Sequence, residues 1–263
     1  LRVIVRVALF WSIVAGTVWA ISTRISWLDL ELMVRVGKEA ANGDISHVST
    51  QDFAFALAAG LVAVAAGLAA AFFLMHVLLV GISVYLAGRK ISAAKDMEAF
   101  AADFDRISAR LERHPLIGHA WGEFEETLLR PTRDGDPVRN TIRPQTFINF
   151  GVLRENLFGL KMIGSVPGYF VGVGLLLTFI GLVLALANAA AAVNSTDAQG
   201  MQNATRELLY VATFKFATSI AGLGSSIVLS FLFRAYTILL EGAVAEFCRV
   251  AESRMKYSAP QSI

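Results

Sequence analysis

The sequence predicts an all-α fold: a polytopic membrane protein with four transmembrane helices and helical segments on the cytoplasmic side. The 263 residues are 56% hydrophobic and only 17% charged, whereas soluble domains are about 25% charged. The chain also contains four long apolar stretches, and its Lys and Arg residues are distributed unevenly among the connections between them. A soluble protein with buried helices is the alternative, but soluble helices are rarely apolar all round over such lengths.

Four stretches have the roughly 20 apolar residues that a membrane-spanning helix needs. They cover residues 3–21, 53–87, 166–193 and 208–233. Arg6 interrupts the first span, Lys215 interrupts the fourth, and the second is long enough to continue out of the membrane as a helix. These spans divide the chain into five regions. They are the first span with its outer connection (1–52), the second span (53–88), a cytoplasmic segment (89–165), a hairpin of the last two spans (166–233) and a cytoplasmic helix (234–263).

The positions of Lys and Arg predict the orientation in the membrane, because cytoplasmic loops carry an excess of these residues. Connection 22–52 holds three and connection 194–207 holds one, whereas 88–165 holds twelve and the tail from Arg234 holds four. Both termini and the long middle segment are therefore expected in the cytoplasm, with the two short connections on the opposite side.

The cytoplasmic regions contain further helix patterns. Apolar positions at helical spacing predict one amphipathic helix over 92–113 and further helices over 147–162 and 235–257. Residues 27–36 form either a short helix on the membrane surface or an ordered loop. The chain begins at Leu1 rather than Met and ends after a charged helical run. We therefore expect a fragment of a longer protein, with 234–263 as the start of a longer tail.

The residue pattern offers no candidate for catalysis, a cofactor or a metal. His114 and His119 are five residues apart, which is off the i, i+4 face that a helical zinc site uses. The sequence has no phosphate-binding loop, no GxSxG and no Cys–His pair, and Cys248 is the single cysteine. We therefore expect no enzyme, no cofactor and no bound metal.

Small and polar residues form stripes along the last two spans. On the third span they recur at steps of four and three residues: Gly174, Thr178, Gly181, Ala185 and Asn188. On the fourth span two neighbouring lines run through Thr218, Gly222 and Ser225, and through Ser219, Ser226 and Ser230. Hydroxyl groups gain nothing from contact with lipid, so the stripes should face protein or water. They either let helices pack closely or line a narrow polar channel between subunits, and the two roles are compatible.

A proton path through these spans needs an acid from another chain. No span contains Asp or Glu at membrane depth, and proton pathways in membranes usually use a titratable acid. Lys215 either extends toward the membrane surface or pairs with a partner's carboxylate. The expected path-lining hydroxyls, which can both donate and accept hydrogen bonds, are Thr178, Thr218, Ser219, Ser225 and Ser226.

Two motifs resemble those of the MotA/TolQ/ExbB proton-channel family. GLLLTFIGL (174–182), with Pro167 at the helix start, resembles the third-span signature, and KFATSIAGLGSSI (215–227) resembles the last-span motif. The resemblance covers about residues 150–235. Within the family, HPLIGHAWGEFEETLL (114–129) and SVPGYFVGVGLLLTFIGL (165–182) are most similar to the ZorA-type subunits of Zorya anti-phage defence systems.

The resemblance implies a homo-pentamer in the bacterial inner membrane, around a dimer of a single-span partner of the MotB/ExbD/ZorB type. The partner's aspartate would carry the proton, and ion flow would rotate the pentamer. Thr178 and Thr218 match the pore threonines of the family, and Thr213 stands where some members have a glutamate. No nucleic-acid partner is expected. The alternatives are an energy-transducing subunit of the ExbB/TolQ or MotA type, and a non-conducting membrane scaffold.

Overall fold

The fold is that of a helical membrane protein. The computed structural model describes residues 2–44, 46–131, 133, 135–193 and 198–258. Within these ranges, four helices are long and apolar enough to cross a membrane: Ile4–Ser22, Gln51–Ser92, Val166–Ala187 and Phe214–Glu252. The predicted all-α polytopic class is therefore confirmed.

Most of the helices follow one another with short connections. The first part of the chain contains α1 (Arg2–Ser22), α2 (Leu30–Ala41), α3 (Gln51–Phe72) and α4 (Leu79–Ser92). A 3₁₀ turn at Ser46–Ser49 precedes α3, and a π-helical segment at Phe73–Leu78 joins α3 to α4. The middle part contains α5 (Met97–Ala102), α6 (Phe104–Glu112), α7 (Gly118–Glu125), α8 (Phe150–Asn156) and α9 (Phe158–Met162). Two long helices follow, α10 (Val166–Val193) and α11 (Ala198–Glu252).

Several predicted helices have different bounds in the structure. The single helix predicted over 92–113 is wrong, because the chain leaves helical geometry before Met97 and again at Asp103. Asp96 is the N-cap of α5 and accepts a hydrogen bond from the Ala99 N–H at 2.7 Å. Aspartate favours such caps over helix interiors, because its side chain can hydrogen-bond to nearby backbone groups. Leu157, in extended conformation, likewise separates α8 from α9.

Of the two alternatives for residues 27–36, the helical one agrees with the structure. Helix α2 begins after Asp29, whose carboxylate accepts a hydrogen bond from the Leu32 N–H at 2.8 Å. At the other end of the chain, α11 stops at Glu252, before the predicted end of the helix at 257. Residues Lys256–Tyr257 instead form strand β3.

The chain forms two compact units, of which the first comprises Leu1–Phe72 and Ile163–Phe233. In this unit α1 packs closely against α3: a Cβ on Gly67 would lie 3.0 Å from the Val14 carbonyl oxygen. The Phe72 ring contacts those of Phe10 and Phe233 edge to face, with centroids 5.2 and 5.0 Å apart. Many apolar side chains of these helices are exposed, as expected for surfaces that face hydrocarbon.

The second unit comprises Phe73–Met162 and Arg234–Ile263. Its core is built on Trp121, whose ring contacts Phe124 and Phe247 and whose indole N–H donates to Ser108 Oγ at 2.7 Å. A small sheet completes the unit. Strand β1 (Leu128–Leu129) pairs antiparallel with β2 (Arg139–Asn140), and β2 pairs parallel with β3.

His114 organises the turn that precedes α7. Its Nδ1 accepts hydrogen bonds from the backbone N–H groups of Leu116 and Ile117, both at 3.3 Å. The proton of the neutral ring must then lie on Nε2, which donates to Ser83 Oγ at 2.8 Å. Burial lowers the pKa of His114 below its ordinary value of 6.5, a hydrogen bond with the Ser83 backbone opposes this shift, and the positive charge of Lys90 lowers the pKa further.

The lowered pKa of His114 predicts a loss of stability in mild acid. Between the lowered pKa and 6.5 the unfolded chain binds more protons, so the contribution of the neutral ring is fully present above pH 6.5 and is lost as the pH falls. Thermal unfolding of the detergent-solubilised protein from pH 8 to about 4.5 should show this loss. His114→Gln should remove it, whereas His119→Gln, at an exposed ring paired with Glu123, should retain it. An unchanged pH profile for His114→Gln would contradict the assignment.

Candidate functional site

The small-residue stripes of α10 and α11 face each other within one chain. A Cβ on Gly222 would lie 2.5 Å from the Phe170 carbonyl oxygen and 2.9 Å from Gly174 Cα. A Cβ on Gly174 would lie 2.8 Å from the Thr218 carbonyl oxygen. The two backbones are therefore in direct contact at these glycines, as in other close-packed membrane helices.

Next to this contact lie three hydroxyl groups that we call the hydroxyl cluster, formed by Thr178, Thr218 and Ser219. Thr178 Oγ1 is 2.9 Å from Thr218 Oγ1 and 2.7 Å from Ser219 Oγ. Two backbone carbonyls border the cluster: Thr178 Oγ1 lies 3.0 Å from that of Gly174 and 2.9 Å from that of Lys215. Thr218 Oγ1 donates to the same Lys215 carbonyl at 2.9 Å.

The hydroxyl cluster can redirect its hydrogen bonds without moving its oxygen atoms. Each hydroxyl carries one proton and can accept further bonds, and Thr178 has four oxygen neighbours within 3.0 Å. Rotation of an O–H bond therefore suffices to change the donor and the acceptor. Thr178 and Thr218 are 4% and 2% exposed, and Ser219 is half-buried. The cluster is thus a polar group enclosed by two apolar helices.

The other two predicted hydroxyls lie farther along α11. Ser225 is seven residues from Thr218, which is about 10 Å along a helix. It is 7% exposed, and its Oγ has no hydrogen-bond partner among the described residues. Ser226 is half-buried, and its backbone carbonyl accepts a bond from Ser230 Oγ at 2.8 Å. The structure therefore brings together Thr178, Thr218 and Ser219, and it places Ser225 and Ser226 about two turns away.

The remaining predicted residues differ in their surroundings. Pro167 is the second residue of α10 and is buried, and Ala185 is 5% exposed. Gly181 lies against the methylene stem of Lys215, which a Cβ at this position would overlap. Asn188 and Thr213 belong to α10 and α11, but their side chains lie outside the described part of the structure.

Lys215 has a hydrogen-bond partner within its own chain. Its side chain is buried in the chain, with the residue 4% exposed, and its Nζ donates to the Val48 carbonyl oxygen at 2.6 Å. Val48 belongs to the 3₁₀ turn at Ser46–Ser49 and is 167 residues away in sequence. The ammonium therefore reaches the connection that precedes the span beginning at Gln51. No sequence signal marks Val48, because any residue type supplies a backbone carbonyl.

The described residues contain no group of three or more His, Cys, Asp or Glu side chains that could hold a metal ion. The site consists of hydroxyls, the two carbonyls that border them and one ammonium bound to a third carbonyl, inside a polytopic helical membrane protein. No model of a known protein family matches the chain, and no curated protein matches it either.

Proposed function

We propose that this chain is the pore-forming subunit of a proton-driven membrane motor. It would assemble as a pentamer around a dimer of a single-span partner whose aspartate carries the proton, and ion flow would be converted into rotation. The hydroxyl cluster between α10 and α11 carries this proposal. The resemblance of residues 174–182 and 215–227 to the MotA/TolQ/ExbB family supports it, and the similarity to ZorA-type subunits favours a role in anti-phage defence.

The chemistry of the hydroxyl cluster suits the binding of a carboxyl group from the partner protein. A hydroxyl can donate to an ionised carboxylate and accept from a protonated one, so the cluster can bind both forms of an acid. Helix packing alone needs only small side chains, and a buried hydroxyl that lacks a partner costs about 1–3 kcal/mol. Three converging hydroxyls therefore exceed what packing of α10 and α11 requires.

The proposal includes the location and orientation expected from the charge distribution. The chain would lie in a bacterial inner membrane with both termini in the cytoplasm, because connection 88–165 carries twelve basic residues. Residues 22–50 would then lie on the opposite side of the membrane. The ends of α10 and α11 that are nearer to Lys215 would face the same side.

One observation favours a second candidate, a non-conducting membrane scaffold. The Thr178 hydroxyl already has carbonyl acceptors at 3.0 and 2.9 Å within its own chain, and Gly174 and Gly222 bring the backbones into contact. In a scaffold, the same residues would only hold α10 and α11 together. The two candidates differ in whether the assembled complex conducts ions.

The deciding experiment combines assembly with transport. The chain would be co-expressed with the product of an adjacent gene that encodes a single-span protein with an intramembrane aspartate. The native mass of the purified complex would then be measured. A pentamer that retains a dimer of the partner, and that passes protons in liposomes, supports the motor. A stable assembly of this chain alone, without flux or a retained partner, supports the scaffold.

Thr218→Val is expected to leave the native mass unchanged and to reduce proton flux about tenfold or more, because a hydrogen bond to a charged group contributes roughly 1.5–3 kcal/mol. Valine keeps the shape of threonine but loses the bonds to Thr178 and to the Lys215 carbonyl. Proton uptake into liposomes that contain the partnered complex measures the effect.

Thr17→Val is the matched control, because the Thr17 hydroxyl donates to the Ile13 carbonyl of the same helix at 2.8 Å and, among the described residues, to no other helix. It should leave both mass and flux unchanged. Normal flux in Thr218→Val would assign this hydroxyl to packing and favour the scaffold.

A further inference from the structure

We propose that Lys215 is the residue that restricts this path to protons and excludes sodium ions, by holding a positive charge on a side chain that extends from the hydroxyl cluster past Gly181 to Val48. This inference rests on the proposed function and assigns its ion selectivity to one side chain. Hydroxyl and carbonyl oxygens alone would suit either ion, since both groups also bind metal cations. The selectivity must therefore come from another feature of the site.

Lys215 is part of the cluster through its backbone. Its carbonyl oxygen lies 2.9 Å from the Thr178 and Thr218 hydroxyl oxygens, so the charge is carried by a residue that already borders the site. Its side chain passes over Gly181, where any larger residue would overlap the methylene stem. The Val48 carbonyl then fixes Nζ at 2.6 Å. This bond holds the ammonium at the Val48 carbonyl.

In the described part of the chain, the positive charge of Lys215 has no negative partner close by. Among the described residues, no carboxylate lies within ion-pair distance of its Nζ, and its one recorded bond is to a neutral carbonyl. The residue is 4% exposed, so water screens the charge poorly. Coulomb interactions are several times stronger in such surroundings than in water, and a second cation beside the cluster would be repelled.

Protons and sodium ions respond differently to this charge. A proton carried on a partner's carboxyl group is part of a neutral acid, which the ammonium does not repel, and the ionised carboxylate that remains is attracted. A sodium ion keeps its full positive charge at every position along the path. The positive charge of the ammonium therefore favours the proton over the sodium ion.

The test uses the partnered complex in liposomes, with ion flux measured in sodium and in potassium buffers of equal ionic strength. Lys215→Met removes the charge and keeps a stem that fits over Gly181. Lys215→Gln also removes the charge but keeps a hydrogen-bond donor for the Val48 carbonyl. If the methionine variant does not assemble, the glutamine variant tests the role of the charge. Lys215→Arg keeps the charge. Lys38→Met is the matched control, because it makes the same change at an exposed position in α2.

The wild-type complex, Lys215→Arg and Lys38→Met should conduct protons equally in both buffers and should carry no sodium. The neutral variants should gain sodium flux, by about tenfold or more over the wild-type background. Neutral variants that assemble and conduct protons without sodium flux would overturn the assignment. Sodium flux in the wild type would overturn it as well, but would leave the motor in place. A partnered wild-type complex without flux of either ion would instead overturn the proposed function.

Discussion

Gly222→Ala is expected to separate α10 from α11 and to break the hydroxyl cluster. The added methyl group would lie 2.5 Å from the Phe170 carbonyl oxygen and 2.9 Å from Gly174 Cα, and both are backbone atoms that cannot rotate away. The helices must therefore move apart, and the bonds of 2.7 to 2.9 Å that join Thr178 to Ser219 and Thr218 must lengthen. Overpacking of this kind costs about 1–3 kcal/mol.

Thermal unfolding of the detergent-solubilised protein should show a lower midpoint, and proton flux through the partnered complex should fall below detection. The control is Gly224→Ala on the same helix, where a Cβ meets nothing within 4 Å. Because alanine favours helix over glycine by about 1 kcal/mol, this variant should be at least as stable as the wild type. Equal stability of both variants would show that the backbones of α10 and α11 are not in contact at Gly222.

Gly118→Ala is expected to have an equally large effect in the second unit. A Cβ on Gly118 would overlap the Glu112 carbonyl oxygen at the end of α6, with the Leu111 carbonyl oxygen also close, at 3.3 Å. The turn between α6 and α7 would have to open, and the bonds from the Leu116 and Ile117 N–H groups to His114 would be lost. We expect a loss of roughly 3 kcal/mol, typical of severe backbone overlap combined with lost, partly buried hydrogen bonds.

The effect should be measured as thermal stability and as hydrogen exchange of the backbone amides in α6 and α7. The matched control is Gly122→Ala in the same helix, because a Cβ there has nothing within 4 Å. Faster exchange in Gly118→Ala, with normal exchange in Gly122→Ala, is the expected result. Wild-type exchange rates in both variants would mean that the turn tolerates a methyl group at Gly118.

The variants in Gly222 and Gly118 also differ in their consequences for function. Gly222→Ala alters the hydroxyl cluster and should remove flux directly. Gly118→Ala alters a unit that contains none of the proposed path residues, so any loss of flux should follow its loss of stability. Measuring flux at a temperature where Gly118→Ala is still folded separates the two causes.

The sequence by itself determined the membrane class and the positions of the spanning helices. Runs of apolar residues decide this, because every backbone polar group inside a membrane must be satisfied within a helix or a closed barrel. The span predicted over 166–193 coincides with α10, and the stripes of small and polar residues on α10 and α11 were recognisable from their spacing alone. Thr178 and Thr218 were also recognisable, since hydroxyls in an otherwise apolar span stand out in the sequence.

Only the tertiary structure decided which of these groups meet. Thr178 lies beside Ser219 and Thr218 because glycines at 174 and 222 let two backbones touch, and no local pattern fixes the register between two helices. The partner of Lys215 is a backbone carbonyl far away in sequence, and the break at Asp103 divides a helix whose apolar spacing is continuous. Hydropathy reports the solvent that a segment prefers, whereas hydrogen bonds between distant segments depend on geometry that forms only when the chain is packed.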